Sequence, residues 1–93
     1  MVRHLVAWSM SPGHEDELDQ ILDELRGLPG DIAEIRELSC GRLLNEADLD
    51  AALCVDVDDR DALARYRAHP AHQPVLERMR RTTSSIVVAD YEL

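Results

Sequence analysis

Twice along this chain a stretch of alternating hydrophobicity gives way to helical spacing and then returns, and this double strand–helix–strand rhythm constrains the fold more than any other feature. In the first stretch Val2, His4, Val6, Trp8 and Met10 share one face and Arg3, Leu5, Ala7 and Ser9 the other. Both sets are apolar enough to predict a strand with each face at least partly covered. Ser11-Pro12 then reads as a helix N-cap with proline at the first helical position, and Glu15 and Asp16 fall where a helix dipole favours anions. Leu18, Ile21, Leu22 and Leu25 recur at helical spacing opposite an acidic face, and Gly27, Pro29 and Gly30 close the segment.

Two extended stretches follow, at about 35–44 and 51–57, separated by the polar loop Asn45-Glu46-Ala47-Asp48, which predicts a hairpin. Asp58-Asp59 offers N-caps for a second helix carrying Ala62, Leu63 and Tyr66, which must yield at His69-Pro70 because proline restricts the residue before it. A further helical piece carries Val75, Leu76 and Met79, with Arg78, Arg80 and Arg81 on its wet side, placed to pair with the acidic helix on a neighbour. The stretch 85–91, containing Ile86-Val87-Val88-Ala89, predicts a short buried strand. Right-handed crossovers give the sheet order 4-1-3-2 with helices on one face of a single domain spanning 1–93. The other face is left bare. An apolar sheet face of that size is a liability in a monomer, so two chains are expected to pack sheet to sheet into a barrel-like homodimer.

The sequence of 93 residues has 10 basic and 19 acidic side chains, a formal net charge of −9, and every basic residue is Arg. Without Lys, Schiff-base chemistry and a phosphate-loop lysine are excluded. The negative charge repels a phosphate backbone, and Trp8, Tyr66 and Tyr91 are the only aromatics, so no nucleic acid is expected as a partner. No run approaches the ~18 apolar residues of a membrane span, and the opening residues are strand-like rather than a leader, so no membrane partner and a cytoplasmic location are expected. Cys40 and Cys54 lack C-x-x-C spacing and read as buried free thiols.

Few residues are equipped for chemistry. His4 lies in an apolar strand, and Asp90, near the end of the antiparallel fourth strand, comes beside it; the pair reads either as a satisfied core histidine near a chain-end carboxylate or as part of a site. In His69-Pro70-Ala71-His72, the second histidine aligns with Val75, Leu76 and Met79 and so points inward near a helix N-terminus, where the dipole keeps imidazole neutral. His69 is better explained as a turn or cap residue. Tyr66 turns its hydroxyl to the same interior, either as core with one hydrogen bond or as a group that polarises a carbonyl. His69 and His72 also permit metal ligation, though proline interrupts the pair and zinc helices favour i, i+4 spacing.

The opening Val2-Arg3-His4-Leu5-Val6-Ala7-Trp8, the Tyr66-Arg67-Ala68-His69-Pro70-Ala71-His72 segment and the closing Asp90-Tyr91 resemble, in this order and spacing, the stress-responsive dimeric α/β-barrel (Dabb) family. The resemblance covers the whole chain. It implies an α+β, ferredoxin-like βαββαβ fold with an antiparallel four-stranded sheet, assembled as a dimeric α/β barrel. One plant member is a polyketide cyclase that performs an aldol condensation without cofactor. Its site carries over onto His4, Tyr66, His72 and Asp90 as catalytic residues, with Asp90 orienting His72, and His72 taking a proton alpha to a carbonyl. Its third-strand histidine has no counterpart, since Ala51 stands there. The resemblance implies no cofactor and a small hydrophobic or polyketide-like ligand. A noncatalytic stress or scaffold role and a cofactor-free monooxygenase-like activity are the alternatives.

Overall fold

The computed structural model describes residues 1–45 and 48–93. Seven regular elements follow one another: β1 (Val2–Met10), α1 (Leu18–Gly27), β2 (Glu37–Arg42), β3 (Ala51–Val57), α2 (Arg60–Ala68), α3 (Gln73–Thr82) and β4 (Thr83–Glu92), with short 3-10 turns before and after α1 and between α2 and α3. The sheet order is β2-β3-β1-β4, the predicted arrangement, and each neighbouring pair is antiparallel. This is the ferredoxin-like α+β fold. Glu46 and Ala47, the centre of the predicted hairpin loop, lie outside the described residues.

Alternation along β1 sorts its side chains. Val2, His4, Val6, Trp8 and Met10 are buried beneath the helices, and the intervening residues are half-buried on the opposite, uncovered face. The core under the helices joins Val2, Val6, Trp8 and Met10 to Leu18, Ile21 and Leu25 of α1 and to Tyr66, Val75 and Met79 of α2 and α3. Asp59 caps α2 as expected, its Oδ1 accepting from the Ala62 amide at 2.8 Å. No described helix is long and apolar enough to cross a membrane.

Three expectations need correcting. Ser11-Pro12 does not cap α1. The His14 amide donates to the Ser11 carbonyl at 3.0 Å and Gly13 adopts φ +89°, the signature of a tight turn with proline second and glycine third, so the helix proper starts only at Leu18. β4 is neither short nor buried. It runs the full length of β1 at the sheet edge, and Ile86, Val87, Val88 and Tyr91 are exposed. Arg78 finds its acidic partners within the same chain, 3.0 Å from Glu24 and 3.8 Å from Glu17, tying α3 to α1.

The uncovered face presents Leu5, Ala7, Val87 and Ala89 around one ion pair. Arg3 grips Asp56 with two parallel bonds, Nε–Oδ1 at 2.8 Å and Nη2–Oδ2 at 2.9 Å, and holds the Asp56 carboxyl below the usual carboxylate range. The two cysteines are free and half-buried rather than buried. Cys40 faces α1, where its thiol donates to the Leu22 carbonyl, whereas Cys54 lies on the open face. Burial pushes both thiols up, so they stay protonated at neutral pH.

Candidate functional site

The helices do not reach the β4 edge of the sheet. Ile86 and Val88 lie on the helix side of β4, opposite Trp8 and Val6, yet remain about half exposed, at 43% and 51%. Between this edge and α2–α3 opens a cavity of about 560 Å³. Val6, Leu53, Leu76, Met79 and the two β4 residues give it apolar walls, and His4, Tyr66, His72, Arg67, Gln73 and Arg80 supply its polar groups.

Sheet register decides what His4 meets. It lies directly across from Val55 on one side and Asp90 on the other, and its Nδ1 stands 2.5 Å from Asp90 Oδ1. With the carboxylate ionised, Nδ1 carries the proton and donates, leaving Nε2 as the basic nitrogen. The second carboxylate oxygen accepts from Arg67 Nη2 on α2. Asp90 is thus fixed from two sides, and an Arg67–Asp90–His4 chain runs from the surface into the cavity wall.

The other two groups form a file of rings beside His4. Tyr66 meets His4 edge to face, with centroids 5.8 Å apart, and stacks on His72 at 4.6 Å. Both rings are buried, and neither the Tyr66 hydroxyl nor His72 Nδ1 has a hydrogen-bond partner. A buried polar group without a partner costs about 1–3 kcal/mol, which makes this pair unusual in so small a core. Burial pushes Tyr66 up to about 12, so its phenol remains a donor. Burial foremost, assisted by the positive potential of His4 and Arg67, lowers His72 to about 4. The ring is neutral, as the sequence suggests, but desolvation rather than the helix dipole is the larger cause.

His4, Tyr66 and His72 therefore line one cavity, and Asp90 stands behind His4, where the strand order places it, rather than beside His72 as the resemblance implies. Asp90 orients His4, not His72, because antiparallel register sets it opposite His4. His69 acts as a cap: its Nδ1 accepts from the Ala71 amide at 3.0 Å. Among the described residues no three His, Cys, Asp or Glu side chains converge as a metal site. Arg67, Gln73 and Arg80 were missed, since arginines in a polar helix pattern read as solvated. The one available signal was that the cavity-facing stretch 66–80 is rich in Arg in an otherwise acidic chain.

The lowered His72 makes stability pH-dependent. Between about 6.5 and 4 the unfolded chain binds a proton that the folded chain refuses, so stability rises with pH across this window and is complete above it. Acidification from pH 7 to 4 is expected to remove about 2 kcal/mol through this residue, after allowance for solvent screening. Urea titrations of the parent and His72→Gln at several pH values measure it. Equal slopes in the two proteins would contradict a buried neutral ring.

The family model of the stress responsive A/B barrel domain, Dabb, matches residues 2–93. The chain belongs to the Dabb family. It is 35% identical to the Streptomyces coelicolor protein SCO4036 over 97 aligned positions covering 99% of both chains. Among solved structures, a dimeric ferredoxin-like protein from Bacteroides fragilis is similar at 26% identity, with a TM-score of 0.89 and coverage of 99% of this chain and 95% of that one. A hydroxynitrile lyase from Passiflora edulis shares the fold at TM-score 0.88 and 19% identity, over 99% of this chain and 92% of the lyase.

Proposed function

We propose that this Dabb protein is a homodimer whose cavity binds a compact, largely apolar carbonyl compound and moves a proton on it without a cofactor, as an aldol-type cyclase does. One observation carries the reading: an oriented imidazole, His4 held by Asp90, stands beside a buried phenol with no partner in an apolar cavity of about 560 Å³. That combination is what proton abstraction alpha to a carbonyl needs. The dimer is supported by the uncovered apolar sheet face and by the dimeric Bacteroides relative.

In this mechanism His4 Nε2 takes the alpha proton and Asp90 stabilises the imidazolium that forms. The electron pair left on carbon delocalises onto the carbonyl oxygen, where the Tyr66 O–H and a His72 N–H donate to the developing charge. The enolate carbon then attacks a second carbonyl of the same molecule, and the imidazolium returns its proton to the new alkoxide. His72 is too weakly basic, at about 4, to be the base; its role is to donate. The noncatalytic scaffold reading, in which the polar groups only satisfy one another, is not favoured, because two of them find no partner among the described residues.

The test is cyclisation of a linear polyketide, offered as the free acid and as the thioester, by the purified protein, followed by chromatography of the cyclised aldol product, with sedimentation velocity on the same sample. Product formed well above the uncatalysed rate by a dimer is expected. No acceleration and no saturable binding would overturn the chemistry, and a single species of 10.5 kDa at micromolar concentration would overturn the assembly.

A further inference from the structure

The charges that line the cavity run opposite to those of the chain. Acidic residues outnumber basic ones by 19 to 10 in the sequence, yet the ionic side chains bordering this cavity are Arg67 and Arg80, with no carboxylate among its lining residues. The Arg67 and Arg80 side chains are exposed, at 49% and 65%, whereas Val6, Leu25, Leu53, Met79 and the Tyr66 and His72 rings are buried. The cavity is therefore amphipathic: apolar inside and cationic at its opening.

Neither arginine is used up by its partner within the chain. Arg67 gives Asp90 one N–H of its Nη2, leaving most of the donor fork free. Arg80 has only Glu77, one turn back on α3 and 3.6 Å away, with both side chains largely in water, a pairing worth little. Deeper in, the unpartnered Tyr66 hydroxyl and His72 Nδ1 are groups that a ligand oxygen would satisfy.

We infer that the ligand is an amphipathic carboxylate: an aliphatic or aromatic body seated against β4 and α3, with its anionic group at the opening between Arg67 and Arg80. The inference rests on the reading of the cavity as a ligand site and names the class of compound it takes. A bidentate carboxylate–guanidinium contact supplies both orientation and discrimination against neutral analogues. The Asp90 carboxylate does not cancel this preference, because it faces His4 and Arg67 rather than the cavity space.

Isothermal titration calorimetry with octanoate and with octanamide tests it, since the two probes differ in charge and share the apolar chain. Octanoate is expected to bind ~10-fold tighter than octanamide, the worth of one charge-assisted contact, and added salt is expected to weaken octanoate only. Arg80→Gln, at an exposed helix position that leaves the Asp90 contacts intact, should remove most of that difference without changing octanamide. Equal affinity of the two probes, or an Arg80→Gln protein that still prefers octanoate by the parent ratio, would overturn the inference and leave the cavity as a ligand site. Failure of both probes to bind would remove the ligand site and this inference with it.

Discussion

A Trp8→Ala protein is expected to lose roughly 3–5 kcal/mol of stability, out of the roughly 5–15 kcal/mol available to a domain of ordinary size. Trp8 is the sole tryptophan and is fully buried near the C-terminal end of β1, flanked across the sheet by Ala51 and Ile86. The small Ala51 makes room for the indole, so truncation opens a void that its neighbours cannot close: Ala51 has no further atoms to offer, and Ile86 is half in solvent. A companion variant separates packing from polarity. The indole Nε1 is buried without an acceptor, a penalty of about 1–3 kcal/mol that the parent already carries. Trp8→Phe sheds the N–H along with some volume and is expected to lie within ~1.5 kcal/mol of the parent. Urea unfolding followed by far-ultraviolet circular dichroism measures both. A Trp8→Ala cost under ~1 kcal/mol would mean that the indole does not fill the core.

The largest functional effect is expected at His4. Removing the ring in His4→Ala takes away the basic nitrogen while Arg67 still holds Asp90, so the carboxylate is not left unpaired. Turnover is expected to fall by about 10²–10⁴-fold, the usual worth of a positioned general base, with octanoate binding kept within a fewfold of the parent. Asp90→Asn probes the same step differently. An amide in place of the carboxylate no longer stabilises the imidazolium and can favour the wrong tautomer, so kcat should drop while KM stays close to the parent value. If His4→Ala turns over substrate normally and His72→Ala does not, the base is His72 and the assignment drawn from the sheet register is wrong.

The fold was legible because its elements are written in periodicities that tertiary contacts reinforce. The alternation of β1 and the apolar run of β3 mark strands whose bounds the structure reproduces, and the sheet order follows from crossover handedness. The failures have local causes. At Ser11-Pro12 a helix start and a tight turn use the same residues, and the positive φ of Gly13 decides for the turn. In β4, four consecutive apolar residues imply covering on both sides, but a single chain leaves them half in water, since the cover on one side is a cavity and on the other a bare face.

The candidate residues stood out in the sequence, and so did the neighbourhood of His4 and Asp90. Four polar residues in a small aliphatic interior are conspicuous, and the antiparallel strand order already brings Asp90 beside His4; only the resemblance assigned that carboxylate to His72. Arg67 escaped notice because it neighbours Tyr66 on α2 and belongs to the solvated side by helical spacing. Only the long, exposed β4 edge brings a carboxylate within its reach.

Because β1 alternates, His4 and Val6 line the cavity while Leu5 and Ala7 lie on the uncovered face, the contact surface of the proposed dimer, with one residue separating the two roles. Combinatorial libraries for this scaffold can therefore be split by parity. On the proposed reading, randomising positions 4 and 6 is expected to retune which compounds are accepted, and randomising 5 and 7 to retune self-association, with the shared backbone ladder preserved in both.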